Sequence, residues 1–182
     1  MKKIILLLLG VFSIQNAAAQ IDFPQNEVKL NIANTIAIAS VELGYELFMD
    51  NNQSIDFGLL LNDRMNYQSE KGSRNFKTNS FKIGYNFYFG TENSGSGLYA
   101  NPFAKLRTGE FSEIVSVDGE DVKRTTDMSA FIIGIGGGYK WNFNDTFVIG
   151  PFANLGRNFS NEVKDRFSAI EVNAGLSVGY RF

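Results

Sequence analysis

Residues 168–182 of the chain read SAIEVNAGLSVGYRF. Every second residue from Ile170 to Phe182 is apolar, and the residues between them are small or polar. Because successive side chains of a β-strand point to opposite faces, this alternation predicts one strand with an apolar face and a polar face. The strand ends on an exposed aromatic residue, which is unusual for a soluble protein.

The amino-terminal residues have the pattern of an export signal. Two lysines follow Met1, residues 4–12 form an apolar run, and three alanines occupy positions 17–19. This order predicts a signal peptide over residues 1–19, cleaved before Gln20. The apolar run is too short to cross a bilayer as a helix, which takes about 20 residues. We therefore expect an exported chain with a short tail over residues 20–27 and one folded domain over residues 28–182.

The composition excludes several functions. The exported chain has a net charge near −4, which argues against nucleic acid as a partner. His and Cys are both absent, so Ser–His and Cys–His catalysis, ordinary zinc sites and disulfides are ruled out. A carboxylate pair or a Ser–Lys pair remains conceivable, but no spacing favours either. We expect no enzymatic activity, no cofactor and no metal site.

Seven further segments share the alternation of the terminal strand. They cover residues 28–38, 41–49, 55–61, 79–89, 98–108, 129–143 and 147–159. Eight alternating segments predict an all-β, eight-stranded, antiparallel up-and-down barrel. Alternation alone allows two versions of it: a transmembrane barrel with its apolar face outside, or a soluble secreted barrel with its apolar face inside.

Three features favour the transmembrane version. Gly and Asn crowd the polar face, as expected for a narrow interior, and aromatic residues gather near strand ends, as at membrane interfaces. The connections also alternate in length. Those at 50–54, 90–97 and 144–146 are short, whereas those at 62–78, 109–128 and 160–167 are long. Only the first loop, near Ala39, is unexpectedly short.

With these features the chain resembles the small eight-stranded outer-membrane barrels, such as OmpX and the barrel domain of OmpA. The resemblance covers the whole exported chain and is one of architecture. It implies location in the outer membrane of a Gram-negative cell, in contact with lipid and lipopolysaccharide. It also implies that Tyr180 and Phe182 form the signal recognised by the barrel assembly machinery. Gly175 and Ser177 match the rest of that signal only in part.

The polar face of the predicted strands carries charged residues that we expect to line the lumen. Six are basic and four are acidic: Lys29, Lys82, Lys105, Arg107, Lys140, Arg181, Glu42, Glu46, Asp56 and Glu171. They have two interpretations, an ion or solute path and a paired polar core that fills the barrel. The second is favoured because eight strands enclose only enough room for side chains and buried charges need partners.

The connection at 109–128 contains a hairpin signal at Asp118 and Gly119 between apolar residues. The flanking strands are predicted to continue beyond the membrane as a protruding arm. The edge of that arm is either a docking site for a strand of an extracellular protein or a self-contained, solvated hairpin. The connection at 62–78 carries Arg64, Lys71, Arg74 and Lys77, which fit lipopolysaccharide phosphates or ordinary surface charge equally well.

The sequence therefore predicts a non-enzymatic outer-membrane barrel with a structural or surface-interaction role carried by its extracellular loops. A narrow channel for ions or small solutes is the alternative.

Overall fold

The computed structural model describes residues 24–68, 73–89, 95–117 and 119–182. The predicted signal peptide, residues 20–23 and Asp118 lie outside the described residues. The described part forms nine strands: β1 (Asn26–Asn31), β2 (Val41–Asp50), β3 (Gln53–Leu61), β4 (Asn75–Tyr88), β5 (Gly97–Val117), β6 (Glu120–Asp127), β7 (Ala130–Phe143), β8 (Phe147–Asn158) and β9 (Ile170–Arg181). Two short helices, α1 (Ile32–Ile38) and α2 (Asn161–Arg166), and a 3-10 turn (Met65–Tyr67) lie in the connections.

Eight of these strands close into an antiparallel barrel. Neighbours in the chain pair with each other, except that β7 pairs with β5 rather than with β6. The pairing of β1 with β9 then closes the circle. Strand β6 lies outside the barrel and pairs only with the last third of β5 within the described residues. The predicted eight-stranded antiparallel barrel is confirmed.

The apolar face of the strands is on the outside of the barrel. Ile135 on β7 is 60% exposed, whereas Glu46 on β2 is completely buried. This arrangement is the inverse of a water-soluble barrel, which buries its apolar side chains, so the soluble version of the fold is wrong.

The two ends of the barrel differ. One end, the turn end, carries the start of β1, the end of β9 and the connections β2–β3, β4–β5 and β7–β8. The loop end carries α1, the β3–β4 connection, the β5–β6 hairpin and α2. No helix within the described ranges is long and apolar enough to cross a membrane.

The first strand is shorter than the predicted segment 28–38, and the second half of that prediction is wrong. Asn31 ends β1 because its side chain accepts a hydrogen bond from the Asn34 backbone N–H at 3.2 Å and so caps α1. Asn34, which the strand prediction placed on the apolar face, is buried and donates to Asn173 Oδ1 at 2.8 Å. A helix therefore occupies the loop that looked too short.

The sheet also begins before the predicted boundary at Val28. Asn26 and Phe182 exchange two backbone hydrogen bonds, with N···O distances of 3.2 and 2.9 Å. These bonds bring residues 26 and 27 into β1 and out of the predicted tail.

Helix α1 ends at Ala39 in a left-handed conformation with φ of 50°. An L-residue with a Cβ is disfavoured there by about 1–2 kcal/mol, whereas glycine is not. We predict that Ala39→Gly stabilises the protein by about 1 kcal/mol in the free energy of unfolding, measured by urea denaturation in detergent micelles.

Ala37 supplies the matched control, because it is also exposed but lies inside α1. Ala37→Gly is expected to destabilise by about 1 kcal/mol. If both substitutions shift the free energy of unfolding in the same direction, the left-handed conformation of Ala39 does not cost stability.

Candidate functional site

The interior of the barrel is filled by charged side chains, and four of them form a cluster near the turn end. Arg181 Nε donates to Glu27 Oε2 at 2.8 Å, and Lys140 Nζ donates to Glu27 at 2.9 Å and to Glu46 at 2.7 Å. Tyr88 also donates its hydroxyl to Glu46. The Arg181 and Lys140 cations lie 4.7 and 5.3 Å from the centre of the buried Phe48 ring. Ion pairs and aromatic rings together close this end of the lumen.

A second group of charges continues the network through the middle of the barrel. Lys29 Nζ contacts Glu46 at 2.7 Å and Asp56 at 2.6 Å, which links the turn-end cluster to the centre. Lys82 Nζ lies 3.4 Å from Asp56 and 3.5 Å from Glu42. Each lysine thus sits between two carboxylates, so its charge is compensated twice.

Towards the loop end lies a separate set, the upper ion cluster, formed by Asp63, Lys105, Arg107 and Glu171. Lys105 Nζ donates to Asp63 at 2.9 Å and lies 3.0 Å from Glu171. The guanidinium of Arg107 donates to Glu171 as well. All four side chains are buried, so the pairs are shielded from water.

The structure places all ten predicted lumen charges inside the barrel. Nine of them are buried, and the Lys29 side chain is 15% exposed. Two further interior carboxylates, Glu27 and Asp63, escaped the sequence analysis. Glu27 follows the same alternation as Lys29 and could have been found by starting β1 two residues earlier. Asp63 belongs to the β3–β4 connection and folds inward from a loop, which no periodicity indicates.

With these two residues, the described part of the interior holds six cations and six carboxylates. The predicted set of six against four left two positive charges without partners. Buried charge is tolerated when it is paired and hydrogen-bonded, so the balance of signs is the arrangement that a closed interior requires.

Little free space remains between these side chains. Two interior cavities have volumes of about 40 and 20 Å³. A water molecule needs roughly 10–15 Å³ of such volume, so these cavities hold a few waters at most. The described part of the lumen has no room for a continuous solute path.

An apolar core, the loop-end cap, covers the barrel at its other end. It consists of Met65, Phe76, Phe111, Met128 and Val163, all at most 3% exposed, with Phe167 packed against them. These residues come from the three long connections at 62–78, 109–128 and 160–167. The connections are held together by a small hydrophobic core of their own.

Strands β5 and β6 pair over residues 110–117 and 120–127 and form an arm that rises from the barrel wall. Strand β4 still pairs with β5 up to Ser112, so the arm is two-stranded beyond that residue. Its register runs from Glu110 opposite Asp127 to Val117 opposite Glu120, which brackets the predicted hairpin at positions 118 and 119. At its base, Gly109 has φ of 123°, and a Cβ there would lie 2.0 Å from the Lys77 carbonyl oxygen. Glycine is therefore required where the arm leaves the wall.

Charged side chains fasten the arm to its neighbours. The buried Glu113 accepts a hydrogen bond from Arg166 of α2, and its other oxygen lies 3.8 Å from Arg74 Nε. At the foot of β6, Ser129 donates to Asp127 at 2.8 Å and lowers the pKa of that carboxyl.

The described members of the basic set suggested for lipopolysaccharide, Arg64, Arg74 and Lys77, differ in their surroundings. Lys77 is exposed, Arg74 faces Glu113, and Arg64 is half-buried, while Lys71 lies outside the described residues. Phosphate binding by these residues stays a prediction from the sequence.

The terminal aromatic residues lie on the outer surface at the turn end. Phe182 is 56% exposed, and its ring stacks on that of Tyr180 with centroids 6.4 Å apart. Other exposed aromatic residues at this end are Phe87, Phe89, Tyr139, Trp141, Phe143 and Phe147.

These features define a small, closed eight-stranded barrel with an apolar exterior and a filled polar interior, the architecture of small outer-membrane barrels. The family described as "Protein of unknown function (DUF3575)" matches residues 3–175, and the chain belongs to this family. Comparison with curated proteins finds no match.

Several solved structures are similar in fold. The N-terminal β-barrel domain of Pseudomonas aeruginosa OprF is 16% identical, with 88% of this chain and 100% of that chain covered and a TM-score of 0.49. Ail, the attachment invasion locus protein of Yersinia pestis, is 12% identical, with 88% and 99% covered and a TM-score of 0.48. Neisserial surface protein A is 14% identical, with 86% and 93% covered and a TM-score of 0.43.

Glu46 is the most connected carboxylate of the interior, since it accepts hydrogen bonds from Lys29, Lys140, Ser54 and Tyr88. Glu46→Gln leaves Lys29 and Lys140 with less charge compensation. We predict a loss of about 3–5 kcal/mol in the free energy of unfolding, measured by urea denaturation of the refolded barrel.

Glu110→Gln is the control, because Glu110 is an exposed carboxylate on β5. Its effect is expected to stay within about 0.5 kcal/mol. If both substitutions have equally small effects, the interior charges do not stabilise one another.

Proposed function

We propose that this protein is a non-enzymatic barrel of the Gram-negative outer membrane that interacts with an extracellular protein partner through its β5–β6 arm. The observation that carries the proposal is the combination of an apolar outer wall and an interior closed at both ends. The apolar outer wall requires lipid around the barrel. Because the interior is closed, the exposed arm is the part available for contacts.

The outer wall supports the membrane location. Leucine, isoleucine, valine and aromatic side chains face outward on each of the eight barrel strands. Such a surface is unstable in water but suits the hydrocarbon core, and a closed barrel satisfies its backbone hydrogen bonds there. The exposed aromatic residues at the turn end fit one membrane interface. The export signal predicted from the sequence agrees with this location.

The closed interior disfavours the alternative, a narrow channel. Ions would have to break the continuous ion-paired network that runs from Arg181 to Glu42 and then pass the loop-end cap. A pore through this barrel would need both barriers to move. The lack of His and Cys in the sequence supports a role without catalysis.

The arm has the features of an interaction surface. At its tip Val115 and Val122 lie opposite each other, and Val117 and Val122 are about half exposed. Strand β6 is also the free edge of the sheet, so its outer backbone groups can pair with a strand of a partner. The contacts of Glu113 hold the arm in place, which reduces the entropy lost on binding.

The surface role is tested with cells that produce the protein. Val117→Asn together with Val122→Asn removes the apolar tip, and we predict about tenfold weaker attachment to other cells, equivalent to about 1.4 kcal/mol. Attachment is measured by sedimentation of mixed cell suspensions. The control pair, Asp121→Asn with Thr125→Asn, changes the opposite face of β6.

Equal attachment by all three proteins contradicts the role of the arm. Steady single-channel steps from the purified protein in planar bilayers support the channel instead.

The terminal residues are proposed to act as the assembly signal. Deletion of Phe182 is expected to lower the amount of heat-modifiable protein in the outer-membrane fraction, because it removes the terminal aromatic ring. Phe143→Ala is the control, since Phe143 is an equally exposed aromatic residue of the same end. Unchanged levels after the deletion refute the signal.

Phe182 also bonds to Asn26, so the deletion has a structural effect to separate from assembly. Refolding of the purified variant in detergent distinguishes a loss of barrel stability from a loss of assembly in the cell. A variant that refolds normally but fails to accumulate in cells supports the signal. Failure in both indicates a purely structural role.

A further inference from the structure

Within the described residues, one side of β9 has no neighbouring strand near the loop end. Strand β1 pairs with β9 only between Ser177 and Arg181. The backbone groups of even-numbered residues in this strand point towards β1, as the bonds between Phe182 and Asn26 show. At Ile170, Val172 and Ala174, beyond the end of β1, these groups meet no strand in the described part of the chain.

Two side chains of the 3-10 turn occupy this strand edge. Asn66 Nδ2 donates to the Ile170 carbonyl oxygen at 3.0 Å, and Asn66 Oδ1 accepts from the Val172 N–H at 2.7 Å. The Tyr67 hydroxyl donates to the Ala174 carbonyl oxygen at 3.0 Å and accepts from the Ala174 N–H. A side-chain amide carries one donor and one acceptor, as a peptide group does. Asn66 and Tyr67 thus replace a missing strand.

Helix α1 explains why the strand is missing. If the register between β1 and β9 continued, Ile38 would lie opposite Ile170. Residues 32–38 form α1 instead, and the edge of β9 is left for the turn to cover.

The turn is strained in the conformation that makes these contacts. Asn66 has φ of 48° and Tyr67 has φ of 57°, both in the left-handed region. Asparagine tolerates that region, but a bulky residue such as tyrosine rarely adopts it. The hydrogen bonds to β9 offset this backbone strain, and the strain is relieved if the turn leaves β9. Ordinary strand pairing carries no such strain, so its release brings no such relief.

A small cavity lies directly behind this edge. Its volume is about 20 Å³, and Asn66, Val172 and Asn173 are among the residues that line it. Asp63, Lys105 and Glu171 of the upper ion cluster line the same cavity. Asn66 therefore borders the same cavity as the charges of the upper ion cluster, and it also bonds to the exposed edge of β9.

We propose that Asn66 and Tyr67 form a detachable strap, and that the barrel wall opens first where this strap meets β9. Release of the strap gives water a lateral route to the upper ion cluster while the loop-end cap stays closed. This inference is independent of the partner proposed for the arm.

Amide hydrogen exchange of the refolded barrel in detergent micelles, followed residue by residue, tests the strap. In the unaltered protein the Val172 and Ala174 amides are expected to exchange at least about tenfold faster than those of Val178 and Tyr180, which pair with β1. Exchange as slow at the first pair as at the second shows that the strap does not detach, and overturns the proposal.

Two substitutions assign the effect to individual side chains. Tyr67→Phe removes only the hydroxyl and is expected to accelerate exchange at Ala174, whereas Asn66→Gly is expected to accelerate it at Val172. Tyr45→Phe is the control, because the Tyr45 hydroxyl bonds to Asn26 near the turn end. Uniform acceleration along β9 in the variants indicates general destabilisation and contradicts a local strap. If a variant fails to fold, the exchange rates of Val172 and Ala174 against those of Val178 and Tyr180 in the unaltered protein still test the proposal.

Discussion

The pairing of charges inside a closed barrel is the constraint on which the rest of this structure depends. Eight strands enclose a space that side chains must fill, and alternation assigns the polar residues to it. Ion pairs can fill it only when the signs balance, which the carboxylates Glu27 and Asp63 achieve. The cost of desolvating these charges is recovered only with all partners present. The pairing of the interior charges therefore favours the observed register of the strands over registers shifted by one or two residues.

The loop end follows a different physical rule from the wall. In the wall the apolar residues face outward, whereas in the cap Phe76 and Phe111 face inward and pack on Met128. The change coincides with Gly109, where β5 exchanges its pairing with β7 for pairing with β6 while it remains paired with β4. Below it the apolar side chains of β5, such as Leu106, face outward, and above it Phe111 is buried. The same strand carries both patterns, which is why the arm is continuous with the barrel.

Alternation predicted the eight barrel strands and the burial of residues such as Lys82 and Lys140, because both follow from a period of two. It did not predict α1, since residues 32–38 alternate as a strand does and only the cap at Asn31 selects the helix. Asp63 and the strap were also beyond it, because these side chains reach the barrel from loops. Their positions depend on contacts distant in the chain, such as that between Asn66 and Ile170.

The length of β5 has a mechanical consequence. Its 21 residues extend over about 70 Å and run without interruption from the turn end to the tip of the arm. A force that pulls on the tip along the strand is carried into the wall as shear, which loads the hydrogen bonds to β4 and β7 together. A flexible loop would instead transmit such a force to one anchoring residue at a time. The arm is thus mechanically continuous with the barrel wall.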